Sequence, residues 1–218
     1  MTEEQIKFIS SCVIQSLSYL REQKIIHRDI MMQNIIMDKD KYFELIDFSF
    51  SIDYLEKDNK YKYLNTYNMV TPPEMEKLKE YDYNSDYYRL GSIIFYLIFK
   101  TYPYIKKFEK NSTEIKINYK VKNYSQNCID FLNQLIIADP KKRMGFKDIN
   151  ELKNHSWFEG FDWNKFIKKK MISPFNLTEN DFEQSLCIKV DIISDEYLIK
   201  HFDYVNTIFI NELLNLKK

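Results

Sequence analysis

The chain has 218 residues, enough for one domain of medium size or for a domain with an extension. Hydrophobic residues make up 44% and charged residues 29%, proportions typical of a globular protein with a packed core. The 32 basic and 32 acidic residues balance, so we expect neither a nucleic acid nor a membrane surface as partner.

The three cysteines, Cys12, Cys128 and Cys187, lie far apart, which favours neither a disulfide framework nor a zinc site. The longest apolar run, 90–99, is too short to span a bilayer, and the N-terminus lacks the pattern of a signal peptide. We therefore expect a cytoplasmic protein, with the nucleus left open.

The chain begins with a predicted helix. Thr2 and Gln5 have the spacing of a capping box. The apolar residues that follow recur at helical spacing: Ile6, Ile9, Val13, Leu17 and Leu20.

A loop and a hairpin are predicted next. Residues 24–34 read as the loop, and 35–37 and 42–46 as two short strands joined by a turn at 38–40. Residues 47–74 read as a long irregular segment, which is unusual in a compact domain unless it has a function.

Helices are expected again downstream. Residues 87–99 are apolar nearly all round, which predicts a helix buried in the core. Ser125 is a candidate N-cap for the next helix, and a short helix is predicted around 147–154. From about residue 159 the apolar spacing loosens, so we expect one domain over 1–158 and an extension over 159–218.

The stretch 25–50, IIHRDIMMQNIIMDKDKYFELIDFSF, carries oxygen-bearing side chains that suit phosphoryl transfer. That reaction needs a carboxylate to orient an attacking hydroxyl and accept its proton, and oxygen ligands for magnesium. Asp29 would be the base, and Asn34 and Asp47 the metal ligands. His27 and Arg28 would anchor the loop. A chance tripeptide is the alternative for His-Arg-Asp alone, but the joint spacing is much harder to meet by chance.

With these residues, the stretch resembles the catalytic loop and magnesium-binding loop of eukaryotic protein kinases. Downstream, TPPE at 71–74 stands where that family's Ala-Pro-Glu closes the activation segment. Asp86 matches the aspartate that holds the catalytic loop's backbone, and Arg143 the arginine that pairs with Glu74. The alternatives are a helix N-cap for Asp86 and solvated surface charges for Glu74 and Arg143.

The later motifs resemble the AGC group of serine/threonine kinases. ADPKKRMG and HSWFEGFDWNKFIKKKMISPF resemble the end of that group's catalytic domain and its first tail segment. Residues 199–204 resemble its hydrophobic motif, although a capped amphipathic helix starting at Ser194 is an equal reading.

The resemblance implies a mainly α fold, a protein-kinase-like C-lobe with a short β-hairpin pair at the catalytic cleft, plus a C-terminal extension. It implies a serine/threonine kinase that uses ATP and Mg²⁺ to phosphorylate protein hydroxyls. Ile36 and Ile46 would line the adenine floor, and Thr66 is the nearest candidate phosphosite. The alternative is a catalytically inactive kinase-like lobe that binds a partner protein.

Several family features are absent or altered. The chain has only three glycines, so no glycine-rich phosphate loop is present, and we expect the N-lobe to be missing from this sequence. That lobe or a partner would cover the exposed face of the cleft. Met31 replaces the family's catalytic-loop lysine, and Ser49 replaces the glycine after Asp47-Phe48.

Overall fold

The computed structural model of the chain describes residues 1–55, 71–78, 81–103 and 121–175. Its fold is mainly helical with few short strands, as predicted. The helices are α1 Glu3–Glu22, α2 Pro73–Leu78, α3 Tyr83–Phe99, α4 Gln126–Leu135, α5 Asn150–Lys153 and α6 Trp163–Ile167. The strands are β1 Ile25–Ile26, β2 Ile35–Met37, β3 Phe43–Leu45 and β4 Ile52–Asp53, with 3₁₀ turns at Met32–Asn34 and Ser156–Phe158.

Helix α1 begins at the predicted capping box. The Gln5 N–H donates to Thr2 Oγ1 over 3.2 Å, and the Thr2 N–H donates to Gln5 Oε1 over 2.9 Å. At the other end, the Arg21 guanidinium donates to the Gly145 carbonyl over 2.8 Å and to the Tyr87 hydroxyl over 3.0 Å. The helix is therefore fixed at both ends before it meets the loop that follows.

Helix α3 runs through the centre of the core, packed against both α1 and α4. It starts four residues before the predicted position, because Asp82 is its N-cap and forms a capping box with Ser85. The polar residues of this first turn broke the apolar pattern that indicated the helix.

In the described parts of the chain, no helix is long and apolar enough to cross a bilayer.

Gly91 marks the point where α3 touches α4. A Cβ at Gly91 would lie 2.8 Å from Leu135 Cβ and 3.0 Å from Ile136 Cγ2. Alanine gains up to about 1 kcal/mol in helix propensity over glycine, but overpacking a core costs about 1–3 kcal/mol. We expect Gly91→Ala to lower the free energy of unfolding, measured by urea denaturation. An unchanged or higher urea midpoint would contradict this close approach.

The short strands form two antiparallel pairs. Strands β2 and β3 form the predicted hairpin, with Ile35 opposite Leu45. Strand β4 pairs with β1, with Ile26 opposite Ile52. The prediction that the segment 47–74 is irregular throughout is therefore wrong. Two-residue strands are too short to leave an alternating pattern in the sequence.

The described part of the predicted extension, 159–175, packs onto the hairpin side of the core. The Phe166 ring lies 5.3 Å from the Tyr42 ring, and the Phe175 ring lies 5.0 Å from the Phe43 ring. Both phenylalanines are buried in the main hydrophobic cluster. This stretch therefore supports the hairpin that carries Asn34 and Asp47 at its open end.

Candidate active site

The loop between β1 and β2, residues 27–34, is called the Asp29 loop below. Its backbone is held by Asp86, a buried residue in the first turn of α3. Asp86 Oδ2 accepts the His27 N–H over 2.9 Å, and Oδ1 accepts the Arg28 N–H over 3.0 Å. Because Asp82 caps the helix, the N-cap alternative for Asp86 is wrong, and its carboxylate is free to span two loop amides.

The backbone of the Asp29 loop is strained where Asp86 grips it. Arg28 has φ +69°, a conformation that residues other than glycine seldom adopt. Such conformations persist where surrounding contacts enforce them, and they cluster at functional sites. The neighbouring His27 ring is buried, with its centroid 4.8 Å from that of the Phe48 ring, and its Nδ1 accepts the Asp29 N–H over 3.3 Å. The His27 ring and the Asp86 carboxylate thus both hold the conformation of this turn.

The Asp29 carboxylate is buried, and each of its oxygens has a partner. Asn34 Nδ2 donates to Asp29 Oδ2 over 2.8 Å and to the Asp29 carbonyl over 2.9 Å. Arg89 Nη1 lies 3.4 Å from Asp29 Oδ1. The five-residue spacing of Asp29 and Asn34 therefore closes a hydrogen-bonded loop.

Asp47 lies at the same end of the hairpin as Asn34, because the backbone of Ile46 bonds that of Asn34 over 2.9 Å. It is exposed and has φ +61°. The Ser49 hydroxyl donates to Asp47 Oδ1, and the Ser49 N–H does so over 3.1 Å. These two donors lower the pKa of Asp47. The ionised carboxylate is thus favoured and open to solvent, so it could bind a metal ion.

The hairpin presents apolar side chains to solvent beside these groups. Strand alternation places Ile36 and Ile46 on the outward face, where they are 44% and 37% exposed. Phe48, just beyond, is 48% exposed. Three large exposed apolar side chains next to catalytic-type polar groups are typical of a binding surface.

Glu74 and Arg143 form a buried ion pair, so they are not solvated surface charges. Arg143 Nη1 donates to Glu74 Oε1 over 2.7 Å, and Nη2 donates to Oε2 over 2.9 Å. The Ser85 hydroxyl, in the first turn of α3, donates to Glu74 Oε1 over 2.9 Å. The pair therefore ties α2 to the helix that carries Asp86.

Two site residues, Tyr81 and Arg89, were missed in the sequence. The Tyr81 hydroxyl donates to Asp86 Oδ1 over 3.0 Å, and burial, together with the nearby Asp86 charge, raises the pKa of Tyr81. Burial also raises the pKa of Asp86. The neighbouring His27 side chain and the hydrogen bond from the His27 backbone N–H oppose this rise. Arg89 could have been recognised from the sequence, because it is a charged residue within a helix predicted to be buried.

Some predicted features fall outside the described residues. These are the candidate phosphosite Thr66, the residues 199–204 that resemble a hydrophobic motif, and the alternative helix starting at Ser194.

Comparison with known families matches residues 1–158 to the protein kinase domain. The chain belongs to the protein kinase family. The chain is 30% identical over 183 residues to rhodopsin kinase GRK1 of Rattus norvegicus, an alignment that covers 79% of this chain and 32% of that protein. It is 26% identical over 178 residues to serine/threonine-protein kinase sgk-1 of Caenorhabditis elegans, covering 80% and 38%. It is 25% identical over 190 residues to ribosomal protein S6 kinase alpha-6 of Mus musculus, covering 85% and 25%.

These relatives place the kinase domain with the AGC type of serine/threonine kinases, in agreement with the sequence motifs. The chain spans less than two fifths of the length of each of the three. Domains of this family use ATP and typically Mg²⁺.

Proposed function

We propose that this protein is a serine/threonine kinase that transfers a phosphoryl group from ATP to a protein hydroxyl, with Asp29 as the base. The observation that carries the proposal is the Asp29–Asn34 pair, held in a strained loop by Asp86. A carboxylate fixed in this way can orient an incoming hydroxyl and accept its proton without reorganising.

Asn34 and Asp47 are the proposed metal ligands. One amide oxygen and one exposed carboxylate fit Mg²⁺, which takes few protein ligands and keeps places for water and phosphate. The bound ion would supply charge neutralisation at the phosphates. Asn34 would therefore serve twice, since its amide nitrogen also holds Asp29.

We propose further that the described fold is the larger C-terminal lobe of a kinase, with residues 159–218 as an AGC-like extension. The exposed Ile36, Ile46 and Phe48 support this, because an adenine ring and a covering N-lobe would bury them. Either the rest of a longer protein or a partner would cover this face. We also propose a cytoplasmic location, with the nucleus left open, and Thr66 as a phosphosite.

A partner-binding lobe without catalytic activity is the second candidate function. Met31 and Ser49 favour it, because the first removes a phosphate-gripping cation and the second occupies the proposed metal-binding carboxylate. The exposed apolar face would then be the docking surface for a partner protein.

Two measurements on the natural gene product separate these functions. The first is its size, by immunoblot with an antibody to residues in the 159–218 region. The second is Mg²⁺-dependent transfer of labelled phosphate from ATP to a protein substrate. A product larger than 26.6 kDa that transfers phosphate supports the kinase. A product of that size without transfer, recovered with a bound protein, supports the partner-binding lobe.

Ser49→Gly is expected to lower the Mg²⁺ concentration needed for half-maximal activity. The change removes the hydroxyl that bonds Asp47 Oδ1 and leaves only the backbone N–H on this oxygen, so the oxygen can bind the ion more readily. The measurement is a Mg²⁺ titration of initial rates at fixed ATP. Ser49→Ala is the matched control, since it removes the hydroxyl without adding glycine's backbone freedom. A requirement that stays equal or rises in both variants would contradict this role.

A further inference from the structure

Arg89 is a buried cation with few partners. It lies one helical turn beyond Asp86 on α3 and is 1% exposed. Its Nη1 contacts Asp29 Oδ1 over 3.4 Å, while its Nε and Nη2 have no hydrogen-bond partner within the described residues. Burying a guanidinium with unfilled donors is unfavourable, so its presence calls for a specific reason.

Arg143, another buried arginine, has a different set of partners. Its Nε donates to the Ile137 carbonyl over 2.9 Å, and its two terminal nitrogens bind Glu74 and main-chain carbonyls. That pattern is typical of an arginine that locks a fold. Arg89 instead directs one nitrogen at the proposed base, so fold stability alone does not explain it.

Arg89 places a positive charge beside the Asp29 carboxylate. Residue 31 of the Asp29 loop is Met31, where the kinase family has a lysine. Arg89 approaches Asp29 from the core side, and its charge also opposes the rise in the pKa of Asp86 that burial causes. In a buried setting, a cation at this distance acts strongly on a carboxylate. Asp86 thus holds the loop's backbone and Arg89 its reactive side chain.

We propose that Arg89 is the positioning residue for the base: it holds the Asp29 carboxylate and places a positive charge beside it. This rests on the proposed kinase function. Asn34 fixes one carboxylate oxygen and Arg89 the other, so the base has a single orientation. Arg89 is too deeply buried to contact a phosphate and acts only through Asp29.

The test compares four forms of the full-length gene product: wild type, Arg89→Met, Met31→Lys and the double variant. We expect Arg89→Met to lower kcat by about 10–100-fold, with little change in the KM for ATP, because a misplaced base slows only the chemical step. Met31→Lys should raise kcat far more in the Arg89→Met background than in wild type, because the new lysine supplies the lost charge.

Arg143→Met is the matched structural control. It also removes a buried arginine, yet Met31→Lys should not rescue it. Unchanged kcat in Arg89→Met, or an equal effect of Met31→Lys in all backgrounds, would overturn the inference.

If the wild-type protein transfers no phosphate, the proposed kinase function is wrong. Thermal unfolding then tests the role of Arg89. Asp29→Asn and Arg89→Met should each lower Tm. The double variant should lose less than the sum of the two, because the second change removes the charge that the first left unpaired. Additive losses would overturn the pairing of Arg89 with Asp29.

Discussion

Replacing Asp29 with asparagine is expected to reduce the turnover number for phosphoryl transfer by about 10²–10⁴-fold, the usual contribution of a general base. Asparagine has nearly the same shape as aspartate and can still bond Asn34, so the loop should keep its course. It lacks the charge that accepts a proton from the substrate hydroxyl. The loss should therefore appear in kcat, measured by steady-state kinetics with the full-length gene product.

The KM for ATP provides the internal control for Asp29→Asn. Asp29 is not a proposed metal ligand, so ATP and Mg²⁺ should bind nearly as in the wild type. Asp47→Asn should behave differently, because it removes a proposed ligand and should raise the Mg²⁺ requirement. An Asp29→Asn variant that retains more than half of the wild-type turnover would remove Asp29 from the role of base.

The local features of this site could be predicted from the sequence because their causes lie within a few residues. The capping box of Thr2 and Gln5 depends on a three-residue spacing, and the β2–β3 hairpin on two short apolar runs around a turn. Asp29 and Asn34 are five residues apart in one predicted loop, which brings them together, although the hydrogen bond between them was not itself predicted.

The features that the sequence did not predict depend on residues far apart in the chain. The contact of Arg89 with Asp29 joins residues 60 positions apart, and no local pattern specifies it. The β1–β4 pairing and the burial of Phe166 against the hairpin have the same origin. The Ser49–Asp47 bond is local, but a serine in place of a glycine indicated only reduced backbone freedom and not a new donor.

The largest effect on stability is expected from breaking the Arg143–Glu74 pair. In Arg143→Met, the Glu74 carboxylate is buried and cannot move to solvent. Among the described residues, the Ser85 hydroxyl is then its one remaining hydrogen-bond donor. Removing one partner of a buried pair costs about 3–5 kcal/mol. For a chain of this size, that loss corresponds to a Tm lower by roughly 6–20 °C, measurable by thermal denaturation followed by circular dichroism.

The double variant Glu74→Met/Arg143→Met distinguishes an unpaired charge from simple loss of packing. If the desolvated carboxylate causes the damage, replacing both residues by apolar ones should recover much of the lost Tm. The single variant should also slow phosphoryl transfer, because Glu74 and Arg143 tie α2 to the first turn of α3, where Asp86 holds the Asp29 loop. A double variant less stable than Arg143→Met would show that the five-donor arginine network itself, rather than charge balance, stabilises this corner of the fold.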